Sequence, residues 1–112
     1  MPEQNTQLLD EKRMRKALAY LSVRLFERFR TTVRLVIHGG AVMVLHRELP
    51  RKRSTPDVDY IHRAFVAEWA QRGVRDAGDR LNACIVETAR AFGFSDDWMN
   101  AHADVALPMA RE

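Results

Sequence analysis

A chain of 112 residues, 46% hydrophobic and 29% charged, with five Gly and four Pro, reads as one ordinary domain that is neither disordered nor fibrous. Its longest apolar run, Leu35 to Leu45, is broken by His38 and is too short to span a membrane, and a lone Cys84 leaves no disulfide framework and no CxxC metal site. Eighteen basic against fifteen acidic residues give a net charge of +3, a weak pull towards anionic partners, and the Arg excess behind it is as well explained by compositional bias. The opening MPEQNTQLLDEKRMRK sets no apolar segment ahead of its charges, unlike a secretory leader. The expectation is a soluble, cytoplasmic chain without a membrane segment.

From Leu8 to Phe29 the residues Met14, Ala17, Leu18, Leu21, Leu25 and Phe29 recur at steps of three and four, the stripe of an amphipathic helix. Val33 to Ile37 is β-branched and nearly continuous, which predicts a buried strand, ended by Gly39-Gly40. Residues 41–48 lack period-two alternation and suit a short helix stopped before Pro50. Asp57-Val58-Asp59-Tyr60-Ile61 alternates polar and apolar as a strand does. Phe65, Val66 and Trp69 predict a helix ending near Gly73, and Leu81, Cys84, Ile85, Ala89 and Phe92 a second one closed by Gly93. Ser95, followed by Asp96 and Asp97, reads as the N-cap of a last helix through Trp98 and Met99. The order α-β-α-β-α-α describes a single α+β domain over residues 1–112, a small mixed sheet flanked by helices. Within it lie an N-terminal helix (8–30), a GG…DxD core (33–61) and a helical C-terminal part (63–104).

The centre of the chain carries the chemistry. Residues two apart on a strand share a face, so Asp57 and Asp59 project together while Val58 turns to the core. Paired carboxylates repel unless a cation sits between them or one is protonated, and Mg²⁺ prefers carboxylate oxygens combined with substrate phosphates. The Gly39-Gly40 turn, seventeen residues before Asp57, offers backbone amides that a phosphate can approach closely. Arg53 and Thr55 add a cationic fork and a hydroxyl. Taken singly, a Gly-Gly turn is usually a turn and a DxD usually a solvated edge, but their order and spacing together are more specific.

The stretch from Ile37 to Ile61, IHGGAVMVLHRELPRKRSTPDVDYI, resembles the core signature of the nucleotidyltransferase superfamily: a strand, a Gly-Gly or Gly-Ser turn, a helix and an acidic pair on the next strand. Its form GGxA…RxTxDxD is similar to the branch of abortive-infection-type toxins and nucleotidyltransferase-like proteins, and Leu81 to Asn100, ending Trp98-Met99-Asn100, is similar to the close of some members. The resemblance covers most of residues 33–104 and implies a minimal nucleotidyltransferase-like core. It implies that Gly39 and Gly40, with Arg53 and Thr55, contact the nucleotide phosphates, and that Asp57 and Asp59 are the catalytic, metal-binding carboxylates. In the family, Mg²⁺ held by these acids aligns a nucleoside triphosphate for attack by a hydroxyl on the α-phosphorus, and pyrophosphate leaves. The acceptor would be an RNA or a protein. The family's third carboxylate, from a later strand, has no convincing counterpart here beyond Asp104 in the short stretch Asp104 to Leu107. This implies a shortened member, or one whose sheet is completed by a second copy or a partner chain. Two other readings compete: a catalytically degenerate member acting as a binding or assembly module, and a helical interaction protein in which GG…DxD is coincidental.

The remaining candidates have plain readings. His46, His62 and His102 lack the spacing of metal ligands, and His38 at a strand end reads as a structural group. Cys84 lies on the apolar face of a helix, where it acts as a small hydrophobe. Trp69 and Trp98 fall on apolar stripes as core anchors. Arg51-Lys52-Arg53 is a solvated loop that, beside a phosphate site, would guide an anionic ligand.

Overall fold

Leu9–Asp10 (β1) is the first strand of the described residues, and Asp10 then ends the strand by capping a helix: its carboxylate accepts the Arg13 N–H at 2.9 Å. The computed structural model describes residues 8–45 and 54–101. Helix α1 (Glu11–Phe29) buries Met14, Ala17, Leu21, Leu25 and Phe29, the stripe that the three-four spacing predicts. Arg30 closes it in a left-handed conformation (φ 61°), its N–H returning to the Phe26 carbonyl at 2.7 Å.

The chain then runs extended, with Val33, Leu35 and Ile37 packed against the core while Arg34 and Val36 face outward. The expectation of a wholly buried strand is therefore corrected. The segment alternates, and only Ile37–His38 (β2) forms a regular strand. Next come α2 (Gly40–Leu45), β3 (Ser54–Thr55), β4 (Val58–Tyr60), α3 (His62–Gln71) and α4 (Ala77–Phe92), which ends at Gly93 in the left-handed region (φ 73°). Among the described residues this makes an α+β fold of four helices with small sheets, one of them mixed.

The predicted last helix is not formed. Ser95 caps a turn instead, with its hydroxyl on the Asp97 carboxylate at 2.8 Å, and Met99–Asn100 form strand β5. The reason is non-local. The Val58 N–H donates to the Trp98 carbonyl at 2.7 Å, and the Trp98 indole N–H reaches the Ile85 carbonyl of α4 at 2.9 Å. These bonds hold the segment beside β4, and an isolated turn of helix offers nothing comparable.

One sheet pairs β1 with β3 in antiparallel fashion, Leu9 opposite Thr55. The other has the order β2-β4-β5, with β2 antiparallel and β5 parallel to the central β4. Val58, Tyr60 and Met99 join Leu21, Leu25, Leu81 and Ile85 in one core, closed at its far end by Phe29 and Trp69 with ring centroids 4.6 Å apart. Cys84 lies in that core, where burial pushes its thiol pKa up, in keeping with an inert hydrophobe. No helix among the described residues is long and apolar enough to cross a membrane. The stretches holding His46, Arg51-Lys52-Arg53, His102 and Asp104 lie outside the described residues.

Candidate functional site

The alternating pattern places the acidic pair on one side of β4. Val58 and Tyr60 are buried, whereas Asp57 and Asp59 are half-buried. One contact and one register pairing bear on the common face. Asp59 stands in register with Asn100 of β5, and the Asn100 amide donates to Asp57 Oδ2 at 3.0 Å, so the same residue of the neighbouring strand is paired with one aspartate by register and bonded to the other by its side chain. Neither aspartate lies in a helix: Asp59 is in β4 and Asp57 immediately precedes it.

Gly39 completes the arrangement. It sits between β2 and α2 at φ +76°, where side chains are rarely tolerated, and its carbonyl accepts the Val42 N–H at 3.1 Å. A Cβ at Gly39 would stand 2.9 Å from Asp59 Oδ2. Only a residue without a side chain lets the carboxylate lie against the turn. Gly40 is the first residue of α2, which at six residues is too short for its dipole to matter much. The sequence pairing of a glycine turn with the acidic strand is therefore a spatial pairing of Gly39 with Asp59. His38, Asp59 and Asn100 form a row across the three strands, since His38 is in register with Asp59.

Thr55 is placed differently. It is buried in β3 and its hydroxyl donates to the Asp57 carbonyl at 3.2 Å, bracing the loop that presents Asp57. Arg53 lies outside the described residues. Of the other histidines, His62 is accounted for by its Nδ1 contact with the Tyr60 hydroxyl at 2.8 Å and by its ring packing on Gly78. His38 is not: its Nε2 is buried with no hydrogen-bond partner among the described residues. Such a nitrogen costs stability unless something answers it, which sets His38 apart from the satisfied structural histidine that its position at a strand end predicts.

Among the described residues no three His, Cys, Asp or Glu side chains converge closely enough to hold a metal ion. The protein oxygens at hand are those of two carboxylates, and the third strand contributes an amide. This donor set does not make a closed metal cage, but it fits Mg²⁺ arriving with a nucleotide, because Mg²⁺ is commonly held by one or two carboxylates together with substrate phosphates. A separate shallow groove of about 510 Å³ lies between residues 33–36 and α3, lined by Leu35, Val36, Ile61 and Phe65 and rimmed by the Arg34–Glu68 pair at 3.5 Å. It does not include the aspartates.

Asn100 is the residue that the sequence reading passed over. Its only signal was its place in Trp98-Met99-Asn100, and its importance depends on β5 being a strand. Comparison with known proteins returned no matching family model, no matching curated protein and no matching solved structure.

Proposed function

We propose that the protein binds a Mg²⁺-nucleoside triphosphate at Gly39, Asp57 and Asp59 and transfers its nucleotide to a hydroxyl acceptor. The observation that carries the reading is the approach of Asp59 Oδ2 to the side-chain-free turn at Gly39. It puts a cation-seeking oxygen next to backbone that an anion can reach, and a Mg²⁺-triphosphate carries both charges. Asp57 and Asp59 would hold the ion, and the backbone at Gly39 and Gly40 would face the phosphates. Bound there, the ion would neutralise the triphosphate and make the α-phosphorus more electrophilic. In the transfer, the acceptor oxygen bonds to the α-phosphorus, the α–β phosphoanhydride bond breaks and pyrophosphate departs with the electron pair. The hydroxyl proton passes to a carboxylate oxygen or to water. Thr55 serves by keeping the Asp57 loop in place.

A second reading, a nucleotide-binding module without catalysis, is favoured by one feature: the side chain that β5 brings to the acids is an amide. A transfer assay with labelled nucleoside triphosphates against a panel of RNAs and proteins separates the two. Metal-dependent labelling supports transfer, and binding without labelling supports the module. Both readings require that Asp57→Asn combined with Asp59→Asn lower Mg²⁺-dependent nucleotide binding by about 100-fold or more, on the scale of losing the cation's only protein ligands. Unchanged binding would refute both.

A further inference from the structure

Asn100 faces two acceptors. Its Nδ2 donates to Asp57 Oδ2 at 3.0 Å and to the Asp97 carbonyl at 2.9 Å. Because a carboxylate and a carbonyl can only accept, the amide nitrogen rather than its oxygen must point at them, which fixes the orientation of the group. The residue is 8% exposed and in register with Asp59, so it is held in place by these two bonds and approaches the acidic pair from the neighbouring strand, bonded to Asp57. From this we infer that Asn100 is a positioning residue. It holds Asp57 through one oxygen and, by presenting N–H groups where a carboxylate would offer lone pairs, keeps the site from binding a bare divalent cation tightly. The cation then enters together with its nucleotide phosphates, which supply the missing ligands.

The physical sense is in charge. With two carboxylates the site leaves Mg²⁺ short of oxygen ligands until phosphate supplies more. With three, mutual repulsion would draw in a free cation before any nucleotide arrived. A donor at Asn100 instead steadies one carboxylate without adding negative charge, the kind of outer-sphere partner whose loss typically weakens metal affinity 10- to 100-fold. The inference rests on the cation-nucleotide reading of Asp57 and Asp59 and specifies the order in which that site fills.

The test uses the full chain with Mn²⁺ as probe, followed by electron paramagnetic resonance, alone and as the complex with a non-hydrolysable nucleoside triphosphate. Wild type should bind the Mn²⁺-nucleotide complex at least about 10-fold more tightly than Mn²⁺ alone. Asn100→Asp should raise affinity for Mn²⁺ alone by about 10-fold or more, and thermal unfolding in EDTA should show it less stable than when Mn²⁺ is added. Asn100→Ala should weaken binding of the complex about 10- to 100-fold. If Asn100→Asp binds bare Mn²⁺ no better than wild type, the inference is overturned. If Asn100→Asp does not fold with or without Mn²⁺, Asn100→Ala decides: loss of affinity for the complex upholds positioning, and wild-type affinity overturns it. Wild-type binding of the complex by the Asp57→Asn, Asp59→Asn protein overturns the underlying site instead, an outcome distinguishable from either of these.

Discussion

In the layer built by α1, α3 and α4, most side chains aimed inward by the helical period are apolar, and buried Thr88 satisfies its hydroxyl on the Cys84 carbonyl at 2.8 Å. Across β2, β4 and β5, the residues facing one way are His38, Asp59 and Asn100, joined by Asp57. The helical layer resembles what any small domain needs to fold. The sheet is held by strands of two or three residues, yet it carries a glycine at positive φ against a carboxylate and a buried imidazole nitrogen without a partner among the described residues. Buried polar atoms without a hydrogen-bond partner among the described residues occur in both regions, Trp69 Nε1 in the helical layer and His38 Nε2 on the sheet, but the turn without a side chain set against a carboxylate belongs to the sheet.

If that division is right, mutations in the two regions fail in different ways. Leu81→Ala, at a fully buried site on α4, should cost about 2–5 kcal/mol by denaturant unfolding while the folded fraction keeps its Mg²⁺-nucleotide affinity. Equal loss of affinity per folded molecule would blur the distinction. Gly39→Ala should do the reverse. The positive φ alone costs about 1–2 kcal/mol, but the new Cβ also displaces the Asp59 carboxylate, so nucleotide affinity should drop much further than stability. Normal affinity in Gly39→Ala would show that the approach of Gly39 to Asp59 is only a packing detail. At the small end, Arg90→Ala removes an exposed pair with Asp96 at 3.5 Å and should shift stability by no more than about 0.5 kcal/mol, with binding unchanged.

The same division marks what the sequence makes legible. Helix α1 is visible because six apolar residues keep one period, and α4 because Gly93 stops it in the left-handed region that glycine favours. The β4 alternation is visible for a similar reason, Val58 and Tyr60 being buried and Asp59 between them half-buried. The ladder of β1 with β3 is not, since two residues show no period at all. Strand β5 is actively misleading. Ser95-Asp96-Asp97 has the composition of a helix N-terminus, and the bonds from Val58 and to Ile85, forty and thirteen residues away from Trp98 in the chain, turn the segment into a strand. Asn100 could not be read as part of the site until β5 had been placed beside β4. The Gly39 turn was legible as a motif, but its contact with Asp59 depends on the register of β2 and β4. Local pattern reports local structure, and the site is assembled by pairing between distant segments.

The central claim is that Asp57 and Asp59, set against the turn at Gly39, receive a cation together with a triphosphate. A crystal structure grown with Mn²⁺ and a non-hydrolysable nucleoside triphosphate tests it most directly. The account predicts an anomalous manganese peak bonded to oxygens of both Asp57 and Asp59, with phosphate lying over the Gly39 backbone. A nucleotide bound elsewhere, or a manganese peak that touches neither aspartate, would contradict it.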